Sequence, residues 1–277
     1  MVKKIIHTGD IHIRNFRRME EYQIQLNKFL DECRQIASKY GKDEIRIVIT
    51  GDLLHNKLDI SGEGYLLASW FLRQLDDIAK TFVIAGNHDI NMEDLSRLDP
   101  LSAIFSMCNF KQTYYLDQML EYKSGCISDD NIVWCLYSCF DNFAAPDIEE
   151  MKRKFNEEDM TYVGLFHGVV SGSRTDVGFS FDNGYSASYF DGLDFCLMAH
   201  IHKRQVLKYN GIPLVYCGSL IQQKHDENVS SHGYLLWDIE TRQYEEKNIA
   251  NEEYGFYTFA INSIEDIDND YEEILNL

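Results

Sequence analysis

The chain has 277 residues, 45% hydrophobic and 13% aromatic, enough for one large core or two smaller ones. Its net charge of −19, from 45 acidic against 26 basic side chains, argues against broad electrostatic binding to nucleic acid or anionic membrane and is compatible with binding cations. No apolar run approaches the roughly 18 residues that a membrane span needs. The seven cysteines, odd in number and without a Cys-x-x-Cys pair, read as small core residues of a reducing cytoplasm.

In chain order, residues 3–8 read as a first strand and not as a signal peptide, because the apolar part is short and Asp10 and His12 interrupt it. Residues 18–40 carry Tyr22, Leu26, Phe29, Leu30, Cys33, Ile36 and Ala37 at three- and four-residue spacing, which predicts a long helix ended by Gly41. A second strand over 45–50 runs into Gly51-Asp52-Leu53-Leu54-His55. A second helix is expected over 61–78, and a third strand over 81–85 ends in Gly86-Asn87-His88-Asp89. Asp99-Pro100 starts a short helix reaching Phe105. The order β-α-β-α-β, with long crossovers, implies parallel strands.

The pattern then changes. Short strands are expected over 112–116, 119–122 and 132–136, a helix over 148–155, and buried strands over 162–166 and 195–199, ending in His167 and in His200-Ile201-His202. Strands over 205–209, 214–217, 234–238 and 255–261 complete a β-rich second half, with Asn210-Gly211 as a hairpin turn. The Gly-, Ser- and Asp-rich stretch 168–191 is either a lid facing a substrate or irregular surface. The acidic tail 264–277 reads as a solvated end or a docking segment. The whole predicts an α/β fold with a two-layer β-sandwich core flanked by helices.

One regularity carries chemistry. Polar residues follow apolar runs at five strand exits: Asp10 and His12; Asp52 and His55; Asn87 and His88; His167; His200 and His202. These hold six of the nine histidines. In open α/β sheets chemistry gathers at the carboxyl ends of strands. In an extended segment residues two apart point to the same side, so Asp10 and His12 can reach one ion. Two aspartates, four histidines (His12, His167, His200, His202) and Asn87 give mixed oxygen and nitrogen donors without thiolate. That set suits Mn²⁺, Fe or Zn²⁺ better than Ca²⁺ or an iron–sulfur cluster. Seven ligands exceed one tetrahedral ion and match two ions roughly 3.5–4 Å apart, the clamp used in phosphate ester hydrolysis.

Asp10-x-His12, Gly51-Asp52, Gly86-Asn87-His88-Asp89, His167 and His200-x-His202, in this order, resemble the calcineurin-like metallophosphoesterase superfamily over roughly residues 3–220. The resemblance implies its four-layer α/β/β/α fold and two divalent cations, Mn²⁺ first, with Fe, Zn²⁺ or Mg²⁺ as alternatives. It implies Asp10, His12, Asp52 and His202 on one metal, and Asp52, Asn87, His167 and His200 on the other. It makes His88 the acid that protonates the leaving group, oriented by Asp89. One departure is Ala199, where the superfamily usually has Gly before His-x-His.

Thr8-Gly9-Asp10-Ile11-His12, Gly51-Asp52-Leu53-Leu54-His55-Asn56 and Tyr216-Cys217-Gly218-Ser219-Leu220 resemble the double-strand-break repair nucleases, of which the nuclease component of SbcCD and its phage relatives are examples. That implies a DNA 3'-5' exonuclease and single-strand endonuclease in a bacterial or phage-infected cytoplasm, with His55 positioning the DNA phosphate and an SMC-like ATPase as partner. It also implies a homodimer through the second helix, with Tyr65, Leu66, Trp70, Phe71 and Leu75 on its face or simply in the core. The global acidity opposes this reading. A local rim of Arg14, Arg17, Arg18, Lys57, Arg174, Lys203 and Arg204 answers it. The expected organisation is a catalytic domain over 1–240 and a short acidic extension over 241–277, the DNA-capping domain being absent or minimal. The rival readings are a phosphodiesterase or phosphatase on small nucleotides or phosphoproteins, and a non-catalytic scaffold.

Overall fold

A computed structural model of the chain describes residues 1–155 and 160–257. The first half forms as expected. β1 (Lys4–Thr8), β2 (Ile45–Ile49), β3 (Thr81–Val83) and β4 (Thr113–Tyr115) run parallel, joined through helices α1 (Met19–Tyr40), α2 (Gly62–Ile78) and α3 (Pro100–Met107). Local chemistry sets the helix ends. Gly41, at φ 94°, closes α1 by donating its N–H to the Ala37 carbonyl. Ser61 caps α2 by accepting from Gly64 N–H, and Asp99 caps α3, with Pro100 at its first position. β11 (Gly233–Asp238) returns antiparallel beside β1 and pairs with β12 (Gln243–Asn248), giving the sheet order β12-β11-β1-β2-β3-β4.

The second sheet has the order β5-β6-β7-β8-β10-β9. β6 (Ile132–Tyr137), β7 (Thr161–His167), β8 (Phe195–Ala199) and β10 (Ile212–Tyr216) are parallel. β5 (Gly125–Asp129) and β9 (Gln205–Tyr209) are its antiparallel edges, with Asn210-Gly211 as the β9–β10 turn.

Both sheets are covered on both faces, which explains their near-continuous apolar strands. Ile5, Val48, Phe82, Leu235 and Trp237 of the first sheet meet Trp134, Val163, Leu165, Phe195 and Leu197 of the second, with Trp237 stacked on Phe195 at 4.5 Å. The opposite face of the first sheet (Ile6, Ile47, Ile49, Val83) packs on α1 and α2. Outside the second sheet, Tyr162, Phe166, Met198 and Tyr216 pack on α5 (Ile148–Phe155) and on Val170, Tyr185 and Phe190. The result is the expected helix–sheet–sheet–helix layering.

Several expectations need correction. Residues 119–122 are not a strand: α4 (Leu116–Met119) is followed by Glu121 and Tyr122 at φ 55° and 60°, which no strand accommodates. β5 and β12 had no sequence signal, because edge strands pair through their backbones and β12 leaves most of its side chains in solvent. The β11–β12 hairpin also runs across position 240, where an extension was expected to begin. Residues 255–257 are irregular, and the rest of the strand expected over 255–261 lies outside the described residues, as does the tail 264–277. On α2, Phe71 and Leu75 are fully buried in the core and unavailable to a partner, while Leu66 is 73% exposed. Among the described residues no helix is long and apolar enough to cross a membrane, and all seven cysteines are free thiols.

Candidate metal centre

The parallel strands of both sheets end at the same edge, and their exits carry the polar residues. The exits of β1 and β2 are zipped together: Asp10 N–H donates to the Gly51 carbonyl at 3.1 Å and His12 N–H to the Asp52 carbonyl at 2.9 Å. Gly51 and Gly86 approach so closely that a Cβ on Gly51 would lie 2.7 Å from the Gly86 nitrogen, and one on Gly86 would lie 2.2 Å from Asp52 Oδ1. Glycine is therefore required where two exits and a candidate ligand side chain meet. Ala199 in place of Gly is tolerated: it ends β8 in extended backbone, and the positive φ falls on His200, at 92°.

Side chains far apart in sequence converge on Asp52. Its Oδ1 accepts the His88 N–H at 2.7 Å, while Oδ2 lies 3.5 Å from His12 Nε2 and 3.3 Å from His167 Nε2. Asn87 Oδ1 is 2.8 Å from His200 Nδ1 and 3.1 Å from His167 Nε2. His12 Nε2 faces His202 Nε2 at 3.1 Å. Asp10 accepts from the His200 N–H through both oxygens, at 3.1 and 2.9 Å. Three groups of candidate ligands result among the described residues, Asp10–His12–His202, Asp52–His167–His200 and, at the mouth, His12–His55–His88, with Asp52 Oδ2 also beside His12.

The electrostatics fit a cation. Burial pushes Asp10 up to about 6, against the pull of His202 and His167. Burial works the same way on Asp52, but His167 and His12 overcome it and hold its carboxyl well below the usual range. His167 is driven down by burial but raised, mainly by Asp52, to about 9. Burial lowers His200 to about 3 and His12 well below its ordinary value. Buried carboxylates and neutral imidazoles with nitrogens turned on one another are a donor set that divalent cations satisfy. His167 is already oriented for this: its Nδ1 donates to the Thr50 carbonyl at 2.8 Å, and the proton that Asp52 holds on its Nε2 is the one a cation there would displace.

His55 and His88 stand at the mouth. Their rings stack at 5.2 Å, and both contact the His12 ring edge-on. Arg14 Nη1 donates to His55 Nε2 at 3.1 Å, and burial followed by that guanidinium lowers His55 to about 4. His88 Nδ1 donates to the His55 carbonyl at 2.7 Å. The expected orientation of His88 by Asp89 is therefore corrected. The Asp89 carboxylate is fully buried and accepts from the backbone N–H of Leu53, Leu54 and Gly86 at 3.2, 2.9 and 3.0 Å. Three amide donors from two loops outcompete one ring nitrogen, so Asp89 staples the β2 and β3 exits together.

A cavity of about 490 Å³ opens onto the centre, walled by His12, Asp52, Asn87, His88, His200 and His202. The 168–191 stretch lends Thr175, Val177, Phe179 and Phe181 to its wall, so it faces the site. Of the expected basic rim, Arg14 and Lys203 line it, joined by Lys224. Arg18 is committed to Glu21 and the Gln222 carbonyl, and Arg204 to the carbonyls of Cys217 and Lys247. Sequence reading missed Glu227, whose Oε1 lies 2.7 Å from His202 Nδ1. Its segment carries no periodicity or motif spacing to mark it.

This fold, with these residues at its strand exits, is that of a metal-dependent phosphoester hydrolase. The chain belongs to the calcineurin-like phosphoesterase family, whose model matches residues 3–204, a span that includes every candidate ligand from Asp10 to His202. It is 33% identical over 265 residues to uncharacterized protein R555 of Acanthamoeba polyphaga mimivirus, covering 94% of this chain and 19% of that one, so it spans about a fifth of that relative's length. It is 23% identical over 304 residues to an SbcCD nuclease subunit of Staphylococcus epidermidis, covering 98% of this chain and 74% of that one. Among solved structures, a novel archaeal phosphodiesterase is similar at 10% identity and TM-score 0.40, covering 88% of this chain and 99% of that one.

Proposed function

We propose that the chain is a dinuclear metal-dependent DNA nuclease of the 3'-5' exonuclease and single-strand endonuclease type, acting in repair, recombination or replication in the cytoplasm. The observation that carries the reading beyond phosphoesterase is the Arg14–His55 pair. It stands at the cavity mouth, bonded at 3.1 Å and held against His12 and His88. A cationic donor and an imidazole beside a metal centre suit the phosphate of a strand. Similarity to the SbcCD nuclease over 98% of the chain supports the same branch.

Asp10, His12, Asp52 and His202 would hold one cation, and Asp52, Asn87, His167 and His200 the other, Mn²⁺ being our first choice. Bound divalent ions would lower the pKa of water to supply a nucleophile and would neutralise the phosphoryl oxygens. The protein's own groups do the rest. His88 Nδ1 is fixed by the His55 carbonyl, so its Nε2 is the atom that gives a proton to the leaving oxygen. Arg14 and His55 position the phosphate, and Val177 and Phe179 line the cavity beside them. DNA is the proposed substrate. An SMC-like ATPase and a second copy through the exposed side of α2 are proposed partners.

The test is hydrolysis with Mn²⁺ of linear duplex DNA, bis-p-nitrophenyl phosphate and p-nitrophenyl phosphate, each offered alone. We expect nucleotide release from DNA, and a His55→Ala variant that loses exonuclease activity more than endonuclease activity. Turnover of the small esters only would replace the reading with a small-molecule phosphodiesterase or phosphatase. No turnover and no bound metal would leave a scaffold.

A further inference from the structure

His202 is gripped from behind. Its Nδ1 lies 2.7 Å from Glu227 Oε1, while its Nε2 faces His12 at 3.1 Å. An ionised carboxylate only accepts, so Nδ1 carries the proton of this contact, and the lone pair of the neutral ring is left on Nε2. Glu227 is itself fixed. Its other oxygen accepts the Gln223 N–H at 2.7 Å, and its carbonyl accepts from Gln222 Nε2 at 2.9 Å. The same segment ties back to the first strand exit: Gln223 Nε2 donates at 3.1 Å to the carbonyl of Ile11, the residue between Asp10 and His12. Gln223 Oε1 also receives Arg14 Nη2 at 3.4 Å.

We propose that Glu227 is the positioning residue for the first cation: it fixes His202 in the Nδ1–H tautomer, with Nε2 turned to the metal. The proposal rests on the reading of Asp10, His12, Asp52 and His202 as that cation's ligands. Glu227 stands behind the ring: its Oε1 contacts Nδ1, the nitrogen away from the Nε2 that faces His12, and its Oε2 accepts the Gln223 N–H. Without it the ring is free to adopt the other tautomer or to rotate, and either withdraws the lone pair from the site. A carboxylate behind a ligating histidine is worth about 10–100-fold in metal affinity.

The experiment is Mn²⁺ titration of the chelator-treated full chain, with free ion followed by electron paramagnetic resonance and thermal unfolding run alongside. Glu227→Ala should weaken one of two Mn²⁺ sites by about 10–100-fold and leave the other unchanged. Glu227→Gln, whose amide oxygen still accepts from Nδ1, should recover most of the loss. His202→Ala should weaken the same site. If Glu227→Ala does not fold, Glu227→Asp, which withdraws the carboxylate by one methylene, should show the same selective weakening. Wild-type Mn²⁺ binding by the Glu227 variants, with one site lost in His202→Ala, would overturn this role alone. Unchanged binding in His202→Ala as well would overturn the ligand assignment beneath it.

Discussion

A histidine at φ 92° is held there by its neighbours. His200 occupies that conformation, while Asp10, His12 and Asp52 stand at φ 48°, 52° and 52°, all in the left-handed region that side chains rarely adopt. Each such residue costs on the order of 1 kcal/mol or more and persists because the structure around it over-determines it. Here the fixing contacts are the His200 N–H on Asp10 and the Asp10 and His12 amides on the β2 exit. Another buried histidine shows what surrounds the centre. His7 Nε2 donates to Thr50 Oγ1 at 3.0 Å, its Nδ1 has no hydrogen-bond partner among the described residues, and burial lowers its pKa to about 3. A depressed histidine binds fewer protons folded than unfolded, so its contribution to stability is complete above the unfolded value of 6.5 and is lost as pH falls. Between pH 7.5 and 5.5 this group alone should remove about 1.4 kcal/mol. Urea unfolding at the two pH values should therefore show His7→Gln losing less stability than wild type by about that amount. Equal losses would mean that His7 does not stay neutral in the folded state.

The elements matter through what they hold at their ends. β1, β2, β3, β7 and β8 each deliver a short polar stretch to one edge, and the β2 and β3 stretches are stapled by Asp89. The two sheets keep those edges aligned through their shared inner core. Trp237 on β11 is fully buried and stacks on Phe195 of β8, the strand that leads into His200, with the rings 10° from parallel. Trp237→Ala should destabilise the fold by about 3–5 kcal/mol, read as a shift of the urea midpoint. A loss under about 1 kcal/mol would show that this face does not couple the sheets. The elements hidden from sequence were those whose stability is not written in side chains. β12 is polar because its pairing with β11 is made by backbone, and α4 is one turn whose apolar residues read equally as strand.

At the scale of the molecule, an acidic chain of net charge −19 sets Asp52, Asp176, Asp226 and Glu227 and five of its nine histidines around one cavity. Binding two divalent cations there would relieve the repulsion of the folded state and has no equivalent in the unfolded chain. Linkage then predicts that Mn²⁺ at about 100 times its Kd adds about 2.7 kcal/mol per site. Thermal unfolding of the chelator-treated chain should rise by several degrees on adding Mn²⁺, and Asp52→Asn should abolish most of the rise. A Tm indifferent to Mn²⁺ in the wild type would contradict a preformed centre.

The sequence by itself determined the α/β class and the identity and order of the residues at the strand exits. Helix period, cap residues and buried apolar runs are local interactions, written within a few positions of one another. It also marked Asp10, His12, Asp52, Asn87, His167, His200 and His202 as a set, because polar residues interrupting apolar strands stand out against their neighbours. Only the tertiary structure decided which of them meet, since Asp10 and His200 are 190 residues apart and the distance between them depends on the register of two sheets. It also reassigned Asp89 from His88 to three amides, buried Phe71 and Leu75, and placed Glu227 behind His202. A carboxylate's partner is set by which donors surround it in space, and no pattern along the chain records that.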